Sequence, residues 1–531
     1  MKYARPEIHW QSMDDSQTGA LPRADPVANA AAVACGLLVG AWPFMAGLRA
    51  ANDDVKWVRT PDHDLPLLDS IAVAWRSEAS FRPLEVLVAH FADAITLTCW
   101  LAAVVQAAGL VATLLGVVRL CAKCFPGSRP AALGAITFMA LSPATTCSVW
   151  QVDSCSQTWT AALGVWATLE CWRGLERAAA GAIPWRTAGV LGLIFAVGCS
   201  VKETFYGWSA GLGIACIVAT IVLLVRGRRA AARASLVMVP VIVLPMAHLA
   251  VRFAFGALSQ RLAGEEGSRY QFELGLNVLI NGALSLAGIA GTGPFHLATD
   301  DHAAPWLRFA PYASVAAAAF AAVGVAMLEL MSGGAGLRAL RWKPLAFAGV
   351  AAIGSLTATL PMGSVSELYC MGANAWAAVV VAGSIAMLWN RGAPDEQAIG
   401  RAIASACALA IVSVGTYGVA SRALHFRAVW VATAKVNTEV LEFQSKLAPS
   451  ADPANVPAGV VYFPMRCMAV RTYGQYVMPV AQAINVEWTG RWLARRDPTR
   501  MIAFAIGKSP AAPSPSDLVI DCGTLPDHGH W

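Results

Sequence analysis

The chain has 531 residues, of which 57% are hydrophobic and only 14% are charged. A soluble domain carries about 25% charged residues, so this composition excludes disordered and fibrous proteins and argues against a soluble enzyme of this length. The remaining class is a helical protein with many membrane spans. The net charge of +6 is not accompanied by a basic tract with interleaved aromatic residues, so nucleic acid is not an expected partner.

Apolar segments of membrane-spanning length recur along the chain, and a straight span needs about 20 residues. They are 27–49, 93–118, 131–149, 154–171, 187–201, 205–225, 235–255, 310–331, 345–362, 375–389 and 402–420. We therefore predict an all-α polytopic membrane protein with about eleven transmembrane helices. The predicted organisation is a cytoplasmic tail at 1–25, a membrane domain at 26–421 and a small extracytoplasmic region at 422–531.

Charged residues divide unequally between the loops. The short loops after the second and sixth spans are basic, with Arg119, Lys123 and Arg129 in one and Arg226 to Arg233 in the other, whereas the long loops 51–92 and 256–309 are acidic. The positive-inside rule places the basic loops in the cytoplasm and the acidic loops outside. Because the spans are almost free of charge, this layout favours an enzyme whose site lies at the outer end of a helical bundle. We expect the membrane to be a bacterial inner membrane, with the site facing the periplasm.

The first acidic loop contains two groups of interest. Asp53 and Asp54 follow the first span, and partial desolvation of such a pair would raise a carboxyl pKa and favour general-base chemistry; the alternative is a solvated loop end. Further along, Pro83 suits the first turn of an amphipathic helix that lies along the membrane surface. Arg82 would then lie at headgroup depth, where it would grip a phosphate or contact lipid headgroups.

Three further outward turns carry candidate residues. Asp153 begins the fourth span, as a helix N-cap, a site residue or both. Lys202 and Glu203 form the only charged pair in the hairpin of spans five and six, where they would bind a phosphate or form a structural ion pair. Glu367 and Tyr369 lie between spans nine and ten, as site residues or as members of the interfacial belt.

Most of the thirteen cysteines lie in apolar runs, where cysteine acts as a small hydrophobic residue. Cys121 and Cys124 form a lone CxxC without a second pair nearby, so no zinc site is expected. Cys467 and Cys522 lie in the polar C-terminal region and would pair as a disulfide if that region is extracytoplasmic. Residues 459–463 of the same region have the pattern of a strand.

Taken in order, these motifs resemble those of the GT-C membrane glycosyltransferases over about residues 27–420. The nearest likeness is to the O-mannosyltransferases that use polyprenyl- or dolichyl-phosphate mannose, especially the transmembrane group with TPR tails. The series consists of an acidic pair after the first span, FRPL at 81–84, Pro143 and Asp153, KET at 202–204 and SELY at 366–369. Phe81 replaces the more usual Tyr, no Arg follows Glu367, and residues 421–531 show no 34-residue repeat.

The resemblance implies transfer of a hexose such as mannose from a polyprenyl-phosphate-linked donor, with inversion, to a protein, glycan or lipid acceptor outside the membrane. Asp54, or alternatively Asp53, would be the general base, and Arg82 and Lys202 would bind the donor phosphate. Asp153, Glu203, Glu367 and Tyr369 would support them. No sugar nucleotide is required, no cofactor is specified, and a divalent cation at the aspartate pair remains open. Membrane lipids are the other expected partners.

Two other classes remain open, besides an inactive relative that only scaffolds. A lipid-linked glycan polymerase or ligase would use cationic residues of the second long loop, namely Arg261, Arg269, His296 and His302. A transporter or flippase would use ionisable groups within the spans, of which His248 and Glu329 are examples.

Overall fold

A computed structural model of the chain describes residues 25–51, 53–77, 82–254, 274–292, 310–331, 341–362, 366–390, 394–452, 457–468, 470–473, 476–479, 482–512 and 514–524. These residues form seventeen α-helices and five short strands. The helices are α1 Pro26–Met45, α2 Asp53–Arg59, α3 Leu67–Ser77, α4 Pro83–His90, α5 Trp100–Cys124, α6 Arg129–Leu141, α7 Pro143–Trp150, α8 Cys155–Ala179, α9 Trp185–Val201, α10 Phe205–Arg226, α11 Arg228–Ala254, α12 Leu276–Ala290, α13 Ala310–Met331, α14 Trp342–Leu356, α15 Met371–Trp389, α16 Pro394–Lys446 and α17 Val486–Arg496.

The predicted all-α polytopic fold is confirmed. Within the described residues, six helices are long and apolar enough to cross a membrane, and the bent pair α6 and α7 makes a seventh candidate. Shorter apolar helices lie at Trp185–Val201, Leu276–Ala290, Ala313–Val325 and Trp342–Leu356. Each of the eleven predicted segments overlaps a helix. The chain is therefore an integral membrane protein built around one helical bundle.

The third predicted span is broken near its end. Helices α6 and α7 meet at an angle of 58° at Ser142 and Pro143. Proline disfavours helical geometry in the residue before it, and Ser142 is extended accordingly, with its hydroxyl accepting a hydrogen bond from the Ala144 N–H at 3.2 Å. All residues of α7 are buried. The break therefore turns a buried short helix toward the start of α8.

Two segments differ from the sequence-based expectation. Residues 276–290, assigned to an outer loop, form the apolar helix α12, which packs against α13 and α15. The boundary expected at residue 421 falls inside α16, which continues without interruption for 53 residues. At 1.5 Å per residue α16 is about 80 Å long, more than twice the thickness of the membrane core. Its second half carries the C-terminal region.

The two ends of the bundle differ in their polar contacts. At one end, which we call the basic end, Arg129 pairs with Asp25 at the start of α1, and Lys123 pairs with Glu176 near the end of α8 at 2.7 Å. The opposite end, which we call the site end, comprises the end of α1, the start of α8, the turn between α9 and α10, and the start of α15. Helices α2, α3 and α4 lie at the site end because they directly follow α1.

The C-terminal region folds around two small sheets. Strands β1 Gly459–Phe463, β4 Ile502–Ile506 and β5 Asp517–Val519 form a parallel sheet with β1 in the centre, and β2 Val470–Tyr473 pairs antiparallel with β3 Tyr476–Pro479. The strand predicted at 459–463 is confirmed, as is the disulfide between Cys467 and Cys522. A separate apolar core joins this sheet to the end of α16 through Val436 and Val440.

Removing this disulfide should loosen the C-terminal region. The bond closes a loop with a sequence separation of 55 residues, and chain-entropy arguments give about 4 kcal/mol for a loop of this size. We expect the full-length double variant Cys467→Ser, Cys522→Ser to show faster proteolysis within the C-terminal region in detergent, while cleavage of the bundle stays unchanged. Equal cleavage rates in wild type and variant would contradict this expectation.

Arg59 connects the C-terminal region to the first outer loop. Its side chain is fully buried, donates to Ala94 O, Thr489 Oγ1 and Asn437 Oδ1, and stacks on the Trp492 ring at 4.3 Å from its centroid. Both of the hydrogen bonds to side chains are 2.6 Å long. Arg59 is the last residue of α2, and Asp54 lies in the first turn of the same helix. The contacts of Arg59 therefore also hold the helix that carries Asp54, the candidate base.

Replacing Arg59 with alanine should detach these elements from one another. Three buried acceptors would lose their donor, at about 1 kcal/mol each, in addition to the lost stacking on Trp492. We expect a destabilisation of about 3 kcal/mol, measured as a lower thermal midpoint of the full-length protein. Arg491→Ala is the control, because Arg491 is exposed and its ion pair with Glu487 lies on the surface. Equal midpoints for the two variants would contradict the expectation.

Candidate functional site

The start of α4 sets the position of Arg82. Pro83 occupies the first turn of the helix, where its missing N–H costs nothing, as the sequence predicted. The residue before a proline is pushed out of helical geometry, and Arg82 has φ −133° and ψ 71°. Its side chain is thereby directed away from the axis of α4 and toward the turn that joins α9 and α10.

Arg82 and Glu203 form a two-point ion pair. Arg82 Nη2 donates to Glu203 Oε1 at 2.6 Å, and Nε donates to Oε2 at 3.3 Å. The planar guanidinium matches a carboxylate in this geometry, which makes such pairs stronger than single hydrogen bonds. The pair joins the first outer loop to the α9–α10 turn, across 121 positions of sequence.

Glu85 lies between Arg82 and Lys202. Its Oε2 is 3.3 Å from Arg82 Nη1, and its Oε1 is 3.8 Å from Lys202 Nζ and accepts a short hydrogen bond from Ser156 Oγ. Lys202 Nζ also donates to Ser156 Oγ at 3.4 Å. Glu85 and Lys202 are each 2% exposed. Two cations and one carboxylate therefore share a desolvated position at the site end.

The two glutamates have opposite electrostatic surroundings. Burial raises the pKa of Glu85, and the opposing effects of Arg82 and Lys202 do not cancel that rise. Burial alone would also raise the pKa of Glu203, but Arg82 and Lys202 lower it to about 2. The two carboxylates in turn raise the pKa of Arg82 against the effect of burial. Glu203 is thus held ionised, whereas Glu85 is the carboxyl group that more readily takes up a proton.

Asp54 reaches the same region from α2. The residue is 1% exposed, and its Oδ1 accepts a hydrogen bond from the Asp153 N–H at 2.9 Å. Asp153 lies in a short 3-10 turn before α8, where its Oδ1 accepts from Ser154 Oγ at 3.2 Å. The N-cap position of α8 is Ser154, so the structure does not support the reading of Asp153 as the N-cap of that helix.

Two more predicted residues lie at the start of α15. Tyr369 is buried in a short 3-10 turn, and the Lys202 Nζ lies 6.0 Å from the centroid of its ring. Glu367 belongs to the same turn, and Asp53 is the first residue of α2. The side chains of Glu367 and Asp53 lie outside the described residues, so their predicted roles stay predictions. The structure brings together Asp54, Arg82, Asp153, Lys202, Glu203 and Tyr369 at one end of the bundle.

Sequence reasoning missed Glu85 and Ser156 as members of this cluster. Glu85 was counted only among the acidic residues of the first loop, although its spacing of three from Arg82 at a helix start is a signal for a pair on one face. Ser156 carried no signal, because it is one of several small polar residues in the first turns of α8. Only the packing of α4 against α8 reveals its role.

Of the residues assigned to competing functions, only His248 has a side chain within the described part of the chain. Arg261, Arg269, His296 and His302, and the side chain of Glu329, lie outside the described residues. His248 in α11 is hydrogen-bonded through Nδ1 to Tyr206 Oη at 2.6 Å. Among the described residues, no group of three or more His, Cys, Asp or Glu side chains could hold a metal ion. A divalent cation at Asp53 and Asp54 therefore stays a prediction.

Chemically, the cluster combines anion binding with proton transfer. Arg82 and Lys202 are cations held in a water-poor position, where they would stabilise a developing negative charge more strongly than water does. The Asp153 carboxylate acts electrostatically on Glu85 of this cluster, and Asp54 accepts a hydrogen bond from the Asp153 N–H. Either carboxylate would accept a proton. The cluster lies where the loop 51–92 meets the ends of helices that are long and apolar enough to cross a membrane.

No protein-family model and no curated protein matches this chain. A solved structure similar to it is the crystal structure of ArnT from Cupriavidus metallidurans bound to undecaprenyl phosphate. The similarity covers 89% of this chain and 88% of the other, with 13% sequence identity and a TM-score of 0.41. At that level the likeness identifies neither a family nor an activity.

Proposed function

We propose that the protein is a membrane glycosyltransferase of the GT-C type, which transfers a hexose such as mannose from a polyprenyl-phosphate-linked donor to an acceptor at the site end of the bundle. The observation that carries the proposal is the buried cluster in which Arg82 and Lys202 flank Glu85 where the first outer loop meets the helices. A polyprenyl chain stays in the bilayer, so its phosphate lies at the depth of these cations.

The reaction would proceed by direct displacement with inversion. The acceptor hydroxyl attacks the anomeric carbon and loses its proton to a carboxylate, for which Asp54 is the candidate. The bond from the anomeric carbon to the phosphate oxygen breaks, and the polyprenyl phosphate leaves with the electron pair. Arg82 and Lys202 would stabilise that leaving charge, which is largest after the bond has broken.

Each of the other residues has a supporting role in this proposal. Glu203 would fix the guanidinium of Arg82 through the two-point pair. The backbone N–H of Asp153 donates to Oδ1 of Asp54 at 2.9 Å, and the Ala51 N–H donates to Oδ2 at 3.4 Å, so both contacts fix the orientation of this carboxylate. Tyr369 would pack beside Lys202, whose Nζ lies 6.0 Å from the centroid of its ring. The proposed orientation places the site end in the periplasm, because the opposite end carries the short basic loops.

The direct test is donor consumption by the purified protein. The full-length chain in lipid nanodiscs would be incubated with a panel of polyprenyl-phosphate-linked hexoses and with acceptor peptides, glycans and lipids. We expect loss of one donor and release of polyprenyl phosphate, and the product linkage should have the opposite anomeric configuration to the donor. Absence of consumption of every donor by well-folded protein would overturn the proposal, as would a product of retained configuration.

A further inference from the structure

Glu85 occupies the position between the two cations that a bound phosphate would need. Its two oxygens divide between them, with Oε2 at 3.3 Å from Arg82 Nη1 and Oε1 at 3.8 Å from Lys202 Nζ. A phosphodiester has the same feature, two oxygen atoms that share one negative charge. Glu85 and the phosphate of the lipid-linked sugar would therefore compete for the same two cations, Arg82 and Lys202.

The charge balance makes this competition costly. Arg82 and Lys202 carry two positive charges, and Glu85 and Glu203 carry two negative charges when ionised. A phosphodiester adds one negative charge to a site in which Glu85 and Lys202 are almost fully buried. An uncompensated charge in such a position is strongly destabilising, because it has lost the solvation by water. The site accepts the diester at lower cost if one carboxylate is neutralised at the same time.

Glu85, rather than Glu203, is suited to that change. Glu203 is held in a two-point pair with Arg82, its side chain is one-third exposed, and its pKa is lowered to about 2. The side chain of Glu85 is 1% exposed, and burial raises its pKa. A protonated Glu85 also keeps a partner, because Ser156 Oγ accepts hydrogen bonds as well as donating them.

Other ionisable groups surround Glu85 on every side of the cluster. The groups on neighbouring elements are Arg82 just before α4, Asp153 in the 3-10 turn before α8, Cys155 at the start of α8, and Lys202 and Glu203 after α9. Tyr369 lies beside Lys202, and Asp54 contacts Asp153. Asp153 adds to the negative charge near Glu85, which further favours its neutral form. None of the opposing cations needs to change its own protonation state.

We propose that Glu85 is a built-in substitute for the donor phosphate, which leaves Arg82 and Lys202 and takes up one proton when a polyprenyl phosphodiester binds. The inference rests on the proposed function, because it takes a lipid-linked phosphodiester as the ligand. The balance is simple: one proton from water neutralises the Glu85 carboxylate, and the diester anion takes its place between the cations. Release of the diester reverses both steps.

The first test measures the proton directly in the wild-type protein. Farnesyl methyl phosphate is a suitable probe, because a diester has one ionisable phosphate oxygen and lacks the second ionisation that a phosphate monoester undergoes at about pH 6. Calorimetric titration in two buffers with different ionisation enthalpies gives the number of protons taken up. At the alkaline end of the titrated pH range, we expect the protein to take up about one proton for each diester that binds. The dissociation constant should rise about tenfold per pH unit in that range.

A variant then tests which group takes up the proton. Glu85→Gln removes the charge and keeps an acceptor for Arg82, so it should bind farnesyl methyl phosphate at least tenfold more tightly than wild type at the alkaline end, without proton uptake. Glu176→Gln is the matched control, because Glu176 pairs with Lys123 at the basic end. The control should retain the proton uptake and the affinity of wild type.

The outcomes separate this inference from the proposed function. If Arg82→Ala weakens binding of the diester but wild type takes up no proton, the role of Glu85 is wrong and the donor site still stands. The same conclusion follows if Arg82→Ala and Glu85→Gln both weaken binding. If wild type binds no diester, or if Arg82→Ala and Lys202→Gln bind it as well as wild type, the donor site itself is wrong. The calorimetry on wild type remains decisive even if Glu85→Gln does not fold.

Discussion

Replacement of Lys202 by glutamine is expected to reduce sugar transfer by about a hundred- to a thousandfold, the usual cost of losing one preorganised group that stabilises developing charge. Lys202 lies beside Glu85 and Ser156 and is 2% exposed, so its charge is not screened by bulk water. The measurement is the rate of polyprenyl phosphate release in nanodiscs at saturating donor. The loss should appear in kcat because the charge on the phosphate grows during the reaction.

Lys123→Gln provides the control for Lys202→Gln. Lys123 is also a partly buried lysine paired with a glutamate, at 2.7 Å from Glu176, but it lies at the basic end. The control variant should keep wild-type transfer. Both variants must elute as monodisperse protein in gel filtration for the comparison to hold. Equal activity of the two variants would show that Lys202 is a structural lysine and would remove the basis of the proposed donor site.

Replacement of Asp54 by asparagine is expected to lower transfer by about a hundred- to ten-thousandfold, the range attributed to general-base catalysis. The amide oxygen of asparagine can still accept the hydrogen bond from the Asp153 N–H, so the contact between α2 and the start of α8 is kept. The variant therefore removes the base and keeps this contact, and it loses the longer hydrogen bond from the Ala51 N–H, at 3.4 Å. Donor binding, measured with the farnesyl diester, should change less than transfer.

Asp53→Asn is the companion variant, because the two neighbouring aspartates were both candidates. If Asp54 is the base, Asp53→Asn should retain most of the transfer activity. Loss of transfer in Asp53→Asn with full activity in Asp54→Asn would reverse the assignment. Full activity in both variants would exclude this pair and direct attention to Asp153, whose backbone N–H is hydrogen-bonded to Asp54.

Local chemistry explains why parts of the fold were predictable. A run of about 20 apolar residues has few alternatives to a membrane-spanning helix, which is why each predicted segment overlaps a helix. Pro83 set the start of α4, and the pattern at 459–463 identified β1. The helix α12 was missed because it has 15 residues and lies in a segment otherwise dominated by polar residues.

The long helix α16 shows a different limit. Hydropathy marks where a chain leaves the apolar core, but a helix does not end there unless a capping or breaking residue ends it. Beyond residue 421 the helix continues because it packs against the C-terminal sheet through Val436 and Val440. That contact joins segments far apart in sequence, and no local pattern predicts it.

For this protein, the sequence by itself determined the polytopic helical fold, the disulfide and most of the charged residues that belong to the site. Only the tertiary structure decided that Glu85 lies between Arg82 and Lys202, with Ser156 bonded to the same carboxylate. Hydrophobicity and proline geometry act over one or a few turns of chain and can be read locally. The electrostatic environment of a buried carboxylate depends on which distant helices pack around it, and that is a property of the folded bundle.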